Sequence, residues 1–95
     1  MGQIIWSRPA LQDVKAIGEY IARDSIVRAD LMVSRIIEAS YRIAEFPQAG
    51  RLIPEVKKPN CREVFIGPYR IMYRVLGDSI CITAVVHGAR NWGNP

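Results

Sequence analysis

The chain has 95 residues and a net charge of +4, with 49% apolar and 23% charged residues. This length allows one domain with one small core, and it excludes barrel enzymes and complete dinucleotide-binding domains. The composition is that of a globular protein rather than of a disordered chain, so we expect a single domain over residues 1–95.

The chain is predicted to begin with a short strand and a helix. Residues 3–6 are expected to form the strand, and Ser7 is a good N-cap for the helix that follows. Pro9 lies in the first turn, where its missing N–H costs nothing. The helix is expected to run to about residue 23 and to bury the stripe Leu11, Val14, Ile17 and Ile21.

A second, longer helix is predicted after the cap at Asp24-Ser25. It should end near Phe46, because Pro47 disfavours helical geometry at the residue before it. The connection between the helices is short, so the two should form an antiparallel hairpin. The apolar stripe of this helix is Ala29, Met32, Val33, Ile36, Ser40, Ile43 and Ala44.

The rest of the chain reads as a proline-rich loop followed by three strands. The loop covers residues 47–61, and the strands cover Arg62–Ile66, Tyr69–Leu76 and Ser79–His87. The turns are Gly67-Pro68 and Gly77-Asp78. The predicted fold class is α+β in the order β-α-α-β-β-β, with the helical hairpin packed on one face of a small antiparallel sheet.

The turn at Gly77-Asp78 sets the register of the last two strands. Counting back from it pairs Val75 with Ile80, Tyr73 with Ile82, Ile71 with Ala84 and Tyr69 with Val86. Period two places all of these on the face under the helices. The opposite face, which we call the second face, collects Glu63, Phe65, Arg70, Arg74 and His87, with Arg90 close by in sequence.

The second face is expected to be open to solvent, because antiparallel sheets usually wet one face. Its arginines then form a binding surface, or they are ordinary solvated side chains paired with Glu63. On either interpretation Arg70→Ala should leave folding intact.

The excess of positive charge lies in the C-terminal half. Residues 1–50 hold six basic and six acidic groups, whereas residues 51–95 hold seven basic and three acidic groups. This half should attract an anion, either nucleic acid or an acidic protein segment, unless its charge serves only solubility. Most of the basic groups are arginines, which suit bidentate recognition of phosphate or carboxylate.

Two cysteines and one histidine are too few for a structural zinc site, so no metal and no cofactor is expected. Cys61 and Cys81 are interpreted as small, partly buried apolar residues. Since the N-terminus lacks the pattern of a secretory signal and no apolar run is long enough to span a membrane, we expect a soluble cytoplasmic protein with no membrane partner.

Two segments near the C-terminus carry a family resemblance. The strand Tyr69–Val75 reads Tyr-Arg-x-x-Tyr-Arg-Val, and His87–Arg90 reads His-Gly-Ala-Arg. With their flanking residues, these segments resemble the signature of the RelE/ParE superfamily of bacterial toxin–antitoxin toxins. The predicted element order and the length also match, so the resemblance spans nearly the whole chain and is closer to the ParE branch.

The resemblance implies a toxin of a type II, plasmid-stabilisation-type module. Such a toxin is neutralised by a cognate antitoxin from the same operon, whose acidic amphipathic C-terminal segment wraps it. Operator DNA would be bound only through the antitoxin. ParE-like members inhibit DNA gyrase and need no catalytic residues, so the second face and Trp92 would be binding elements for target or antitoxin. Alternatively, Trp92 packs back on the edge of the domain.

RelE-like members, the alternative, are ribosome-dependent mRNA endonucleases. In them the positions matching Arg70 and Arg90 contact phosphate, and His87 could exchange a proton near neutral pH. The tail Asn91–Pro95 offers no Tyr, His or Lys as a second proton-transfer group. Catalytic roles for Arg70, His87 and Arg90 therefore belong to the nuclease alternative alone. A non-toxic binding module that retains the fold is a third possibility.

Overall fold

Two helices and five strands make up the part of the chain that the computed structural model describes, residues 2–88. The elements in chain order are β1 (Ile4–Trp6), α1 (Arg8–Ala22), α2 (Ile26–Glu45), β2 (Arg51–Leu52), β3 (Cys61–Ile66), β4 (Tyr69–Leu76) and β5 (Ser79–His87). The α+β fold class is confirmed. A two-residue strand lies within the predicted loop.

Serine caps start both helices where the sequence predicts. The Ser7 hydroxyl accepts a hydrogen bond from the amide of Ala10 at 3.1 Å, and the Ser25 hydroxyl accepts one from Arg28 at 3.1 Å. The buried stripe of α1 differs by one residue, because Leu11 is exposed and Ala10 is fully buried in its place. In the described residues, no helix combines the length and apolarity needed to cross a membrane.

The sheet is mixed, with strand order β1-β5-β4-β3-β2. The pairs β5–β4, β4–β3 and β3–β2 are antiparallel, as predicted. β1 runs parallel to β5 at one edge, which the prediction of an antiparallel sheet did not include. The helical hairpin lies between β1 and the rest of the sheet in sequence. α1 packs on β5, and α2 packs on β1, β3 and β5. The short β2 covers only the first half of β3 at the other edge.

Glycines form the first residue of both hairpin turns. Gly67 has φ +54° and Gly77 has φ +56°, in the left-handed region that glycine tolerates at no steric cost. Pro68 then occupies the second turn position, where negative φ is required for a type II′ turn. In the pairing of β3 with β4, Phe65 lies opposite Arg70 and Glu63 opposite Met72, so Glu63 and Phe65 lie on the second face as predicted.

A bulge in β5 changes the predicted register of the last hairpin. Near the turn the pairs Val75–Ile80 and Tyr73–Ile82 are confirmed. The register then shifts between Met72 and Tyr73, so that Ile71 lies opposite Val85 and Tyr69 opposite His87. The predicted pairs Ile71–Ala84 and Tyr69–Val86 are therefore wrong by one residue, and Val85 exchanges faces with Ala84 and Val86.

The helix-facing core is built around Tyr73, whose ring is buried. It packs with Ile71, Ile80 and Ile82 against the stripe of α2. The Tyr73 hydroxyl donates to the carbonyl of Pro47 at 2.6 Å and accepts from the amide of Gly50 at 3.1 Å. These bonds tie the chain that leaves α2 to the middle of the sheet.

Candidate functional site

The second face of the sheet is covered along much of its length. Residues 53–60 fold across it, and Ile53 is buried against Met72, Ala84 and Val86. The expectation of an open face is therefore wrong. The cause is the apolar content of the predicted loop, since Ile53 and its partly buried neighbour Val56 form a second small core there.

Arg70 lies at the centre of a buried ion-pair network beneath this segment. Its Nε donates to Glu63 Oε1 at 2.7 Å, and its Nη1 and Nη2 donate to Glu55 Oε2 and Oε1 at 2.8 and 2.7 Å. Only 4% of the Arg70 side chain and none of the Glu63 side chain is exposed. The bidentate geometry on Glu55 is the arrangement that matches a guanidinium to a planar anion.

Arg51 completes the network from the edge of the sheet. Its Nε donates to Glu63 Oε2 at 2.6 Å, and its guanidinium carbon lies 5.1 Å from the centre of the Phe65 ring. Within residues 2–88, two guanidinium groups thus face two carboxylates, so the charges of these four side chains balance. Such balance is what allows charges to be buried in a small protein.

The network keeps Arg70 charged. Its hydrogen bonds with Glu55 are the largest influence and raise the pKa of the guanidinium, and Glu63 adds to this, whereas desolvation opposes it. Arg70 and Glu63 do lie on the second face, but they are buried rather than solvated. In place of the expectation that Arg70→Ala leaves folding intact, we now expect this substitution to destabilise the fold.

Three of the predicted site residues are exposed and separate from one another. Phe65 is at the outer edge on β3, and Arg74 is at the far end of the second face. His87 lies opposite Tyr69 and lines a pocket together with residues of α1. Its predicted place on the second face is therefore wrong, because the bulge in β5 turns it to the side of the helices. Arg74 is flanked in register by Cys61 and Cys81. The rings of His87 and Tyr69 are nearly perpendicular, and their centroids are 5.9 Å apart. The structure does not gather these residues into one cluster.

Arg90 and Trp92 lie outside the described residues. Within residues 2–88, no group of three or more His, Cys, Asp and Glu side chains is placed to hold a metal ion.

Sequence reasoning missed Arg51 and Glu55, both in the segment interpreted as loop. The charge distribution could have indicated them. A buried arginine needs a carboxylate partner, and the C-terminal half has few acidic residues to supply one. Glu55 and Glu63 are its only acids apart from Asp78 in a turn. No local sequence pattern predicts that Glu55 pairs with Arg70, because the two residues are fifteen positions apart.

The sequence and the fold of this chain are similar to those of known proteins. A family model described as the ParE toxin of type II toxin–antitoxin systems, parDE, matches residues 4–92. This chain belongs to the ParE toxin family. It is thus a type II toxin–antitoxin toxin of the RelE/ParE superfamily, as the resemblance indicated.

Relatives of this ParE-family chain carry names from both branches of the superfamily. Toxin RelE2 of Caulobacter vibrioides is 34% identical over 90 residues, which cover 95% of this chain and 99% of that protein. Toxin ParE3 of the same organism is 26% identical over 92 residues, covering 96% and 91%.

Two solved structures share its fold. A chain of the chromosomal ParDE TA system from P. aeruginosa has a TM-score of 0.75 at 24% identity, covering 92% of this chain and 96% of that one. A chain of the RelBE2 toxin–antitoxin complex from Mycobacterium tuberculosis has a TM-score of 0.65 at 15% identity, covering 90% and 96%.

Proposed function

We propose that this ParE-family toxin inhibits DNA gyrase and is neutralised by a cognate antitoxin encoded beside it. The matched solved structures come from toxin–antitoxin systems, which supports an antitoxin as partner. The matched family model is that of ParE toxins, and the resemblance associates that branch with gyrase.

The sequestered Arg70 is the observation that favours gyrase inhibition over RNA cleavage. In-line cleavage of RNA needs cations on the phosphate as its charge develops. Arg70 matches the position that contacts phosphate in RelE-like toxins, yet here its Nη1 and Nη2 are held by Glu55 and its Nε by Glu63. A phosphate would have to displace a bidentate carboxylate from a buried site. An inhibitor that acts by binding has no such requirement.

The contact surface for the target is then assigned to exposed side chains rather than to the buried network. Phe65, Arg74 and His87 remain candidates because all three reach solvent. Arg90 and Trp92 remain candidates on sequence grounds. Glu63 and Arg70 act by holding residues 53–60 in place.

The test is a supercoiling assay with purified gyrase and relaxed plasmid. We expect the wild-type toxin to block supercoiling and to accumulate cleaved DNA, and we expect Arg74→Glu to raise the inhibitory concentration about tenfold. The matched control is Arg8→Glu, an equal change of charge at the exposed start of α1, which should stay within about twofold of wild type.

Two results would overturn the proposal. One is normal supercoiling in the presence of saturating wild-type toxin. The other is the appearance of new breaks in ribosome-bound message that disappear in His87→Ala, which would assign the endonuclease function instead.

A further inference from the structure

Part of the positive charge in the C-terminal half is used by contacts within the chain. Arg51 and Arg70 are paired with carboxylates. Arg62 lies on the face of the helices, where it donates to two backbone carbonyls. Within residues 2–88, the other basic residues of this half are exposed and form no ion pair, namely Lys57, Lys58 and Arg74.

The backbone brings these three cations to one end of the second face. Arg74 lies opposite Cys61 in the ladder of β3 and β4. The amide of Cys61 donates to the carbonyl of Lys58 at 3.1 Å, and the amide of Val75 donates to the carbonyl of Asn60 at 2.8 Å. The turn that carries the lysines is therefore bonded to the strands beside Arg74. We call the surface formed by Lys57, Lys58 and Arg74 the basic corner.

The backbone of Lys57 has a conformation that lysine rarely adopts. Its φ is +58°, and in the part of the chain that the structure describes it is the only residue other than glycine with a positive φ. The amides of Val56 and Lys57 both donate to the carbonyl of Ile53, so residues 53–57 form one helical turn that ends in a left-handed residue. Glycine or asparagine is usual at such an end. A lysine kept there at a cost in backbone strain indicates a role for its side chain.

The buried contacts beneath this turn hold the lysines in place. Ile53 packs into the second small core, and Glu55 forms its bidentate contact with Arg70. Both residues belong to the turn that ends at Lys57. The backbone that carries the cations is thus ordered before any ligand arrives, which lowers the entropic cost of binding.

The basic corner contains cations without acidic neighbours. Glu55 is turned to the buried Arg70, and Asp78 lies in the turn between β4 and β5. The residues that flank Arg74 in the ladder are both cysteines. A protein surface presents carboxylates at scattered places, whereas the backbone of DNA presents a regular row of phosphates that accept hydrogen bonds from lysine and arginine. The corner therefore suits a phosphate backbone.

We propose that the basic corner contacts the phosphates of duplex DNA and holds the toxin against the DNA that gyrase carries. The inference rests on the proposed function, which supplies an enzyme with DNA bound to it. Contacts to phosphates read no base sequence, so this surface is distinct from an operator-recognition site. Three phosphate contacts imply that the logarithm of the association constant falls with the logarithm of the salt concentration with a slope of about −2.7.

The first experiment measures binding of the full-length toxin to a labelled DNA duplex of arbitrary sequence by fluorescence anisotropy. Between about 50 and 200 mM salt, we expect the affinity of the wild type to fall about 40-fold. A triple variant with Lys57→Asn, Lys58→Gln and Arg74→Gln should bind at least about tenfold more weakly at the lower salt concentration, with a slope near zero. Asparagine at position 57 removes the charge and tolerates the left-handed backbone. Absence of DNA binding by the wild type would overturn the proposal.

The matched control removes three exposed charges from the helical layer, on the other side of the sheet. It combines Lys15→Gln, Arg28→Gln and Arg35→Gln, so its net charge equals that of the triple variant. Its affinity should stay within about twofold of wild type, because distant charges are screened. Equal losses in the two variants would show a general effect of charge and contradict the proposal. Circular dichroism checks both folds, and Lys58→Gln alone, which should lower the slope by about one, replaces a triple variant that does not fold.

The second experiment separates contact with DNA from contact with the enzyme. Leu76 follows Arg74 on the same face and is 42% exposed, so a protein contact at this end is the competing explanation. We expect the triple variant to match the wild type in its binding to DNA-free gyrase, and to need an at least about tenfold higher concentration to block supercoiling. Weaker binding of the triple variant to DNA-free gyrase would assign the corner to the enzyme and overturn the proposal.

The two experiments also separate this inference from the proposed function. If the wild type binds DNA with the expected slope but leaves supercoiling unaffected, the proposed function fails and the contact with DNA stands. If the wild type blocks supercoiling but does not bind DNA, the proposed function stands and the basic corner is not a DNA-binding surface.

Discussion

Arg70 shows how surroundings decide the role of a single side chain. Its position on an alternating strand correctly predicts the face that it occupies, and an arginine on such a face is usually solvated. Here, carboxylates from β3 and from residues 53–60 replace the water, at distances of 2.7 to 2.8 Å. Removing the guanidinium would leave Glu63 buried with only Arg51 as partner, and Glu55 without its bidentate contact.

We therefore predict that Arg70→Ala lowers the free energy of unfolding by about 3–5 kcal/mol, the usual cost of breaking a buried ion pair from one side. Urea denaturation followed by circular dichroism measures it. Arg74→Ala is the matched control, since Arg74 is exposed on the same strand and face. It should change stability by less than about 0.5 kcal/mol. Equal effects from the two substitutions would contradict a structural role for Arg70.

At the scale of elements, α1 fixes the end of β5 that β1 leaves uncovered. β1 stops at Trp6, and the outer edge of β5 continues past it. Beyond Trp6, side chains at the start of α1 bond to the backbone of β5 instead. The Ser7 hydroxyl donates to the carbonyl of Thr83 at 3.3 Å, and Asp13 Oδ2 accepts from the amide of Val85 at 2.9 Å. These bonds meet β5 where its register on β4 has shifted.

We predict that Asp13→Ala destabilises the protein by about 1–3 kcal/mol, because the amide of Val85 loses a charged acceptor. Thermal unfolding gives the stability, and amide exchange at Val85 should become faster. Asp30→Ala, an exposed carboxylate on α2, should leave both quantities near their wild-type values. Unaltered exchange at Val85 in Asp13→Ala would show that the bond is unimportant.

The elements themselves were largely predictable, because their signals are local. Serine caps, helical spacing and a glycine turn place both helices and the last three strands to within one or two residues. The bulge in β5 has no comparable signal, since it depends on where α1 meets the strand. The exposure of Leu11 has a similar cause, as the approach of helix to sheet decides which of two neighbouring residues is buried.

The candidate site was less predictable than the fold. Alternation correctly placed Glu63 and Arg70 on the second face, but their burial depends on Ile53 and Glu55, which approach from a segment with no repeating pattern. A proline-rich segment is usually predicted to be a solvent-exposed loop. Its few apolar side chains, here Ile53 and Val56, are the feature that indicates burial. Contacts between distant segments are therefore where sequence reasoning failed here.

At the scale of the whole molecule, the sheet lies between two layers, the helices on one side and residues 53–60 on the other. Tyr73, in the core between the helices and the sheet, holds the chain between α2 and β2, since its hydroxyl is bonded to Pro47 and Gly50. Burial is the main influence that raises the pKa of this phenol, and it is partly offset by the amide of Gly50 and by Arg62. The folded protein thus favours the neutral form.

Because the pKa of Tyr73 is higher in the folded than in the unfolded state, its contribution to stability is present below pH 10 and is lost as pH rises further. We predict a free energy of unfolding that falls above about pH 10. In Tyr73→Phe this decline should shrink, and stability at pH 8 should drop by about 1–3 kcal/mol because the amide of Gly50 is left unpaired. Urea titrations from pH 8 to 11 test both. Tyr20→Phe, at an exposed ring, should retain the wild-type profile.

The Glu55–Arg70 contact also offers a criterion for sorting homologous sequences. Where both acids accompany the arginine, we expect them to hold the guanidinium as they hold Arg70 here, so that its presence alone does not indicate chemistry on RNA. Where the arginine persists but neutral residues stand at positions 55 and 63, we expect the same cation to be available to an anion. The residues at these two positions are therefore the ones to compare when related toxins are sorted.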